Sequence, residues 1–122
     1  MEAFDTLKIA ANALNDKKGL NITAIKIGEL SIIADYMLLV TATSSTHVRA
    51  LAEETEKKLD EAGVTAHHVE GKATGWILLD YNDVIVHVFS NEAREFYNLD
   101  KLWDDGQKLD MTTILDNVQE EE

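Results

Sequence analysis

Residues 76–89 read Trp76-Ile77-Leu78-Leu79-Asp80-Tyr81-Asn82-Asp83-Val84-Ile85-Val86-His87-Val88-Phe89. Two apolar segments, 76–81 and 84–89, flank a two-residue polar break. That pattern predicts a β-hairpin closed by a tight turn at Asn82-Asp83. Upstream, residues 36–42 form another unbroken apolar run, Tyr-Met-Leu-Leu-Val-Thr-Ala, the mark of a strand covered on both faces.

The flanking segments complete the pattern. Phe4, Leu7, Ala11 and Leu14 make a helical stripe within residues 3–18, and Gly19 after Lys17-Lys18 is expected to cap that helix. Residues 20–27 alternate as a strand, and Gly28 to Ser31 connect it onward. Thr43-Ser44-Ser45-Thr46 is a run of helix-capping residues. Behind it, Val48, Leu51, Ala52, Leu59 and Ala62 form a second helical stripe that Gly63 closes. Residues 64–70 read as a strand. Ser90 or Asn91 caps a last helix over 92–103, with Phe96, Leu99 and Trp103 as its stripe. Gly106 ends regular structure, and Met111 to Leu115 add one short turn. The order α-β-β-α-β-β-β-α predicts an α/β fold, a mixed five-stranded sheet with flanking helices packed on it.

Composition bounds the function. The 122 residues carry 11 Lys and Arg against 23 Asp and Glu, a net charge of −12. With 45% hydrophobic residues, the chain has enough apolar surface for one packed core. It has no cysteine, which excludes disulfides, thiol catalysis and cysteine-ligated metals. No apolar run approaches the ~20 residues of a membrane span. The acidic Met1-Glu2-Ala3-Phe4-Asp5 start lacks the basic character of a signal peptide, so a cytoplasmic location is expected. A surface this acidic is repelled by phosphate backbones and anionic membranes, and favours a basic protein partner. Residues 104–122 hold seven acids and one lysine, half of the net charge. The expected division is therefore one domain over 1–103 and an acidic tail over 104–122.

The candidate chemistry is sparse. The Thr43–Thr46 loop lacks the glycines of a phosphate cradle, and hydroxyl capping explains it. Asp80 and Asp83 stand three apart across the hairpin, a spacing compatible with Mg²⁺-dependent nucleotidyl transfer. Asp83 is explained as a turn residue, whereas Asp80 is not. His87 lies inside an apolar strand, where an imidazole serves hydrogen bonding or a partner surface, and no nucleophile motif accompanies it. Trp76 opens its strand just after Gly71-Lys72-Ala73-Thr74-Gly75, and aromatics at such rims are enriched at interaction hot spots. Asp80 follows four residues later on the same strand face.

The stretch Glu70-Gly71 … Trp76-Ile77-Leu78-Leu79-Asp80 … Asp83-Val84-Ile85-Val86-His87-Val88-Phe89 resembles the signature of the ribosomal silencing factor family, also called Iojap-like. Arg94-x-x-Tyr97-x-Leu99-Asp100-x-Leu102-Trp103 is similar to the family's closing motif, with Asp100 where Glu is usual. Ser31 to Tyr36 and Thr41 to Val48 also fit, with Ala42 and Thr46 departing from the usual residues. The resemblance spans residues 3–103.

It implies an α/β sandwich with a nucleotidyltransferase-like core and no working active site, no cofactor and no metal. It implies binding to the large ribosomal subunit through ribosomal protein uL14, a block on joining of the small subunit, and repression of translation under nutrient limitation. It further implies a homodimer when free. Carried onto this sequence, it places Trp76, Asp80, His87 and Glu70 on the docking sheet. Tyr97, Leu102 and Trp103 would be additional partner-binding positions, and Arg94 an intramolecular brace. The alternative is a Mg²⁺-dependent nucleotidyltransferase-like enzyme using Asp80 and Asp83.

Overall fold

The computed structural model describes residues 2–28, 32, 34–71, 75–102 and 104–116. The chain runs α1 (Ala3–Asp16), β1 (Leu20–Lys26), β2 (Tyr36–Ala42), α2 (Ser45–Glu61), β3 (His68–Glu70), β4 (Trp76–Asp80), β5 (Val84–Ser90), α3 (Asn91–Tyr97), α4 (Leu99–Leu102) and β6 (Gln107–Lys108). A 3-10 turn follows at Met111–Thr113. The strands form one sheet in the order β3-β4-β5-β2-β1-β6. Only the central pair, β2 with β5, is parallel; it runs in register from Tyr36 opposite Val84 to Ala42 opposite Ser90. The other pairs are antiparallel.

Alternation along the central strands builds two cores. Leu38, Val40 and Ala42 of β2 and Val84, Val86 and Val88 of β5 meet Leu7, Leu14, Leu51 and Leu59 of α1 and α2. Met37 and Leu39 of β2 and Ile85 and Phe89 of β5 point the other way, toward Ile25, Ile27, Ala34, Ala93 and Leu99. Burial on both faces is why β2 and β5 read as continuous apolar runs rather than alternating ones. The hairpin closes as expected: Tyr81 N–H donates to Val84 O at 2.9 Å, and Asn82 takes the left-handed conformation at φ 72°.

Several expectations are revised. Among the described residues the sheet has six strands, not five. The added strand β6 pairs with β1 through two residues, Gln107 and Lys108, a length too short to leave a periodic signal. The strand expected over 64–70 is confined to His68–Glu70. The helix expected over 92–103 breaks into α3 and α4 at Asn98, which adopts φ 47° and ψ 50°. At the end of α1, Lys18 holds the left-handed position (φ 62°), and Gly19 N–H donates to Leu14 O at 2.9 Å. Gly19 is required for a different reason than capping: a Cβ there would sit 2.5 Å from Cγ2 of Val40.

The chain beyond residue 103 packs onto the same body. Leu109 N–H donates to Ala24 O, Asn12 Nδ2 donates to Ile114 O, and Asp116 N–H donates to Asn12 Oδ1. Ile114 is buried in the core beneath α1 and α2. Thus part of the acidic segment supplies a strand and a core residue. No helix among the described residues is long and apolar enough to cross a membrane. Ile114→Ala should lower stability by about 2–4 kcal/mol, the usual cost of truncating a fully buried aliphatic side chain. Urea unfolding measures it, and a loss under 0.5 kcal/mol would show that this segment is not anchored.

Candidate functional site

Among the described residues, shorter helices lie over the second core than over the first. Above the second core, the start of β4 and the short helix α3 leave a cleft of about 650 Å³ between them. Its lining comprises Glu70, Gly71 and Gly75, then Trp76 and Leu78 from β4, and Ser90, Glu92, Ala93, Phe96 and Tyr97. Ser90 caps α3 by accepting from Ala93 N–H at 3.1 Å, which directs the helix away from β5.

The cleft wall is aromatic. Trp76 and Tyr97 approach with ring centroids 4.5 Å apart, and Tyr97 meets Phe96 edge-on at 5.1 Å. Trp76 also stacks on Phe89 at 5.4 Å. Phe96 is 81% exposed and Tyr97 48% exposed, so this cluster presents an apolar surface to solvent. The rim carries Glu70 and Glu92 and, among the described residues lining it, no basic side chain. Glu70 is also within 2.6 Å of Nε2 of the exposed His68.

The other expected residues fall elsewhere. His87 is 4% exposed and lies beneath Trp76, whose Nε1 donates to Nδ1 of His87 at 2.9 Å. A partner resting on this face would touch Trp76 and not His87. Burial drives the imidazole down to about 4, so it is neutral at ordinary pH. Asp80 pairs with His68 and Ile85 at the far end of β4 and is outside the cleft lining. Its Oδ1 accepts from Asn82 N–H at 2.8 Å, which makes Asp80 a turn-former after all. Asp83 contributes its backbone oxygen to Asp35 and Tyr36. Among the described residues, no three acids or histidines gather as a metal site. Ser44 caps α2 by accepting from His47 N–H at 3.1 Å. Leu102 ends α4, and Trp103 and residues 72–74 lie outside the described residues.

Arg94 is the most heavily bonded side chain near the cleft. It donates to both carboxylate oxygens of Asp100, to Asn21 O, and to the hydroxyls of Thr41 and Thr23. Its side chain is only 11% exposed. These bonds tie α3 to α4 and to strands β1 and β2. Sequence reasoning missed Phe96, Leu78 and Glu92 as cleft residues. Phe96 was expected on a buried stripe of one continuous helix. The break at Asn98 removes that stripe and leaves the ring in solvent. The adjacent Phe96-Tyr97 pair was the available signal, since neighbouring residues cannot share one narrow helix face.

A family model described as "Ribosomal silencing factor during starvation" matches residues 1–122. A ribosomal silencing factor of Bacillus subtilis is 41% identical over 112 residues, covering 91% of this chain and 95% of that protein. One from Halalkalibacterium halodurans is 36% identical over 116 residues, covering 94% and 99%. A crystal structure of a Chromobacterium violaceum protein superposes with a TM-score of 0.83 at 37% identity, covering 90% of this chain and 92% of that one.

Two outcomes follow from the geometry. Arg94→Ala should cost about 3 kcal/mol, because charged hydrogen bonds are lost and Thr41 and Thr23 lose a partner. Arg94→Lys should recover little, since an ammonium cannot reproduce the guanidinium fork. Stability should also fall as pH drops from about 6.5 to about 4, where an unfolded chain would protonate His87 and the folded chain resists it. The loss is on the order of 3 kcal/mol, absent above pH 6.5. Urea melts across this range check it: His87→Phe should flatten the slope, and an unchanged slope would assign it to other groups.

Proposed function

The chain belongs to the ribosomal silencing factor family, and from that membership we propose that it binds the large ribosomal subunit through ribosomal protein uL14 and keeps the small subunit from joining. The observation that carries this reading is the cleft beside α3: an exposed aromatic wall of Trp76, Tyr97 and Phe96 with Glu70 and Glu92 on its rim. Aromatic centres within a polar rim supply most affinity at protein interfaces. Acidic rims steer and orient a basic partner, as ribosomal proteins usually are, while the net charge of −12 repels bare ribosomal RNA.

In this reading Trp76 is the anchor and Tyr97 and Phe96 widen it. Glu70 pairs with a basic side chain of uL14 at one edge, and Asp80 serves the same surface further along β4. Leu102, at the end of α4, and Trp103 after it extend the contact. Arg94 braces α3 so that the cleft keeps its shape. Silencing then needs no chemistry, cofactor or metal. A body of roughly 14 Å radius on the subunit interface prevents closure over it. The protein acts in the cytoplasm under nutrient limitation, and is a homodimer when free.

The core is read as nucleotidyltransferase-like in topology but not in activity. The use of the Asp80 carboxylate in the hairpin turn weighs against Mg²⁺-dependent transfer by Asp80 and Asp83. Co-sedimentation with purified large subunits tests the proposal. The wild-type chain should pellet with them, less so as salt rises and charge is screened within ~8–10 Å. Phe96→Asp should weaken binding at least about tenfold. Its melting temperature should stay near wild type, because the ring is 81% exposed. Absence from the pellet at moderate salt would sink the reading.

A further inference from the structure

We infer that His87 is a positioning residue, which sets the Trp76 indole in its docking orientation from beneath and does not itself touch the partner. The consequence for binding rests on the uL14 reading; the geometry does not.

Trp76 Nε1 donates to His87 Nδ1 at 2.9 Å. An accepting Nδ1 places the proton of the neutral ring on Nε2. That nitrogen is buried and has no hydrogen-bond partner among the described residues. The rings form a ladder: His87 lies within 7° of parallel to Phe89 at 5.7 Å, and Trp76 covers both, 5.6 Å from His87 and 5.4 Å from Phe89.

An unsatisfied buried N–H is costly, and a phenyl ring would fill the same slot without it. A side chain with an acceptor at the Nδ1 position holds the indole N–H, and a phenyl ring does not. Apolar stacking alone tolerates sliding and rotation of the indole about its broad terminal torsion. A hydrogen bond is directional and removes that freedom. A side chain already held in its bound orientation loses less entropy on docking. The imidazole therefore trades some stability for a fixed anchor, and its contribution lies in binding.

The test uses the full chain with His87→Phe, which keeps a ring and removes the acceptor, and His87→Asn, whose Oδ1 can occupy the place of Nδ1. Three quantities are read: the Trp76 indole N–H resonance, distinguished from that of Trp103 by Trp103→Phe; the melting temperature; and affinity for purified uL14. His87→Phe should melt at or above the wild-type temperature, move the indole resonance, and weaken uL14 binding about 2- to 10-fold, the cost of re-ordering one large side chain. His87→Asn should return the resonance and recover most of the affinity. An unmoved resonance, full affinity in His87→Phe, or a His87→Phe chain that fails to fold would each overturn the inference, the last by making His87 a purely structural residue. If the wild-type chain does not bind uL14, the docking reading falls instead. The resonance and its rescue by asparagine then decide the positioning by themselves.

Discussion

The parallel pairing of β2 with β5 is the constraint on which the molecule depends. Seven consecutive partners, from Tyr36–Val84 to Ala42–Ser90, place two apolar strands side by side at the centre of the sheet. Strands apolar on both faces cannot leave either face in water. The fold answers with α1 and α2 over one side and with α3, α4 and Ala34 over the other. Because β2 and β5 run parallel, the chain between them cannot be a tight turn. It is instead the whole excursion through α2, β3 and β4.

The two coverings differ in extent, and the candidate site follows from that difference. Two long helices of 14 and 17 residues seal the first core. Helices of seven and four residues cover the second, and they leave Trp76, Tyr97 and Phe96 at the margin. Arg94 compensates for this thin cover. Its guanidinium joins α3, α4, β1 and β2 with hydrogen bonds, so a short helix with little buried surface is still held in place. Rigid support below a solvent-facing aromatic surface is what a recognition site needs, since ordering costs are then met in folding rather than in binding.

Much of the fold was legible in the sequence because its signals are local. Periodicity located α1, α2 and the central strands, and Asn82-Asp83 marked the hairpin. The capping of α2 by Ser44 followed from residue type. What failed was weak or non-local. β6 is two residues long and exists only because β1 offers it an edge. The break at Asn98 is carried by one left-handed residue that could equally stand inside a helix. The acidity of residues 104–122 suggested a solvated tail, whereas the single side chain of Ile114 draws its neighbourhood into the core.

The site divides in the same way. The sequence alone put Trp76 and Asp80 on one strand face, because strand alternation is strictly two-residue, and the family resemblance added His87 to the same sheet. The sequence also determined the acidic balance and, through linked motifs, the family. Only the tertiary structure decided how deep each side chain lies on that face. Trp76 lines the cleft between the start of β4 and α3. His87, opposite Leu78 on the central strand β5, is roofed by Trp76 and leaves the surface. Asp80, at the end of β4, turns its carboxylate to a backbone N–H in the hairpin. Alternation fixes a direction from the sheet, but burial depends on what the rest of the chain lays over it.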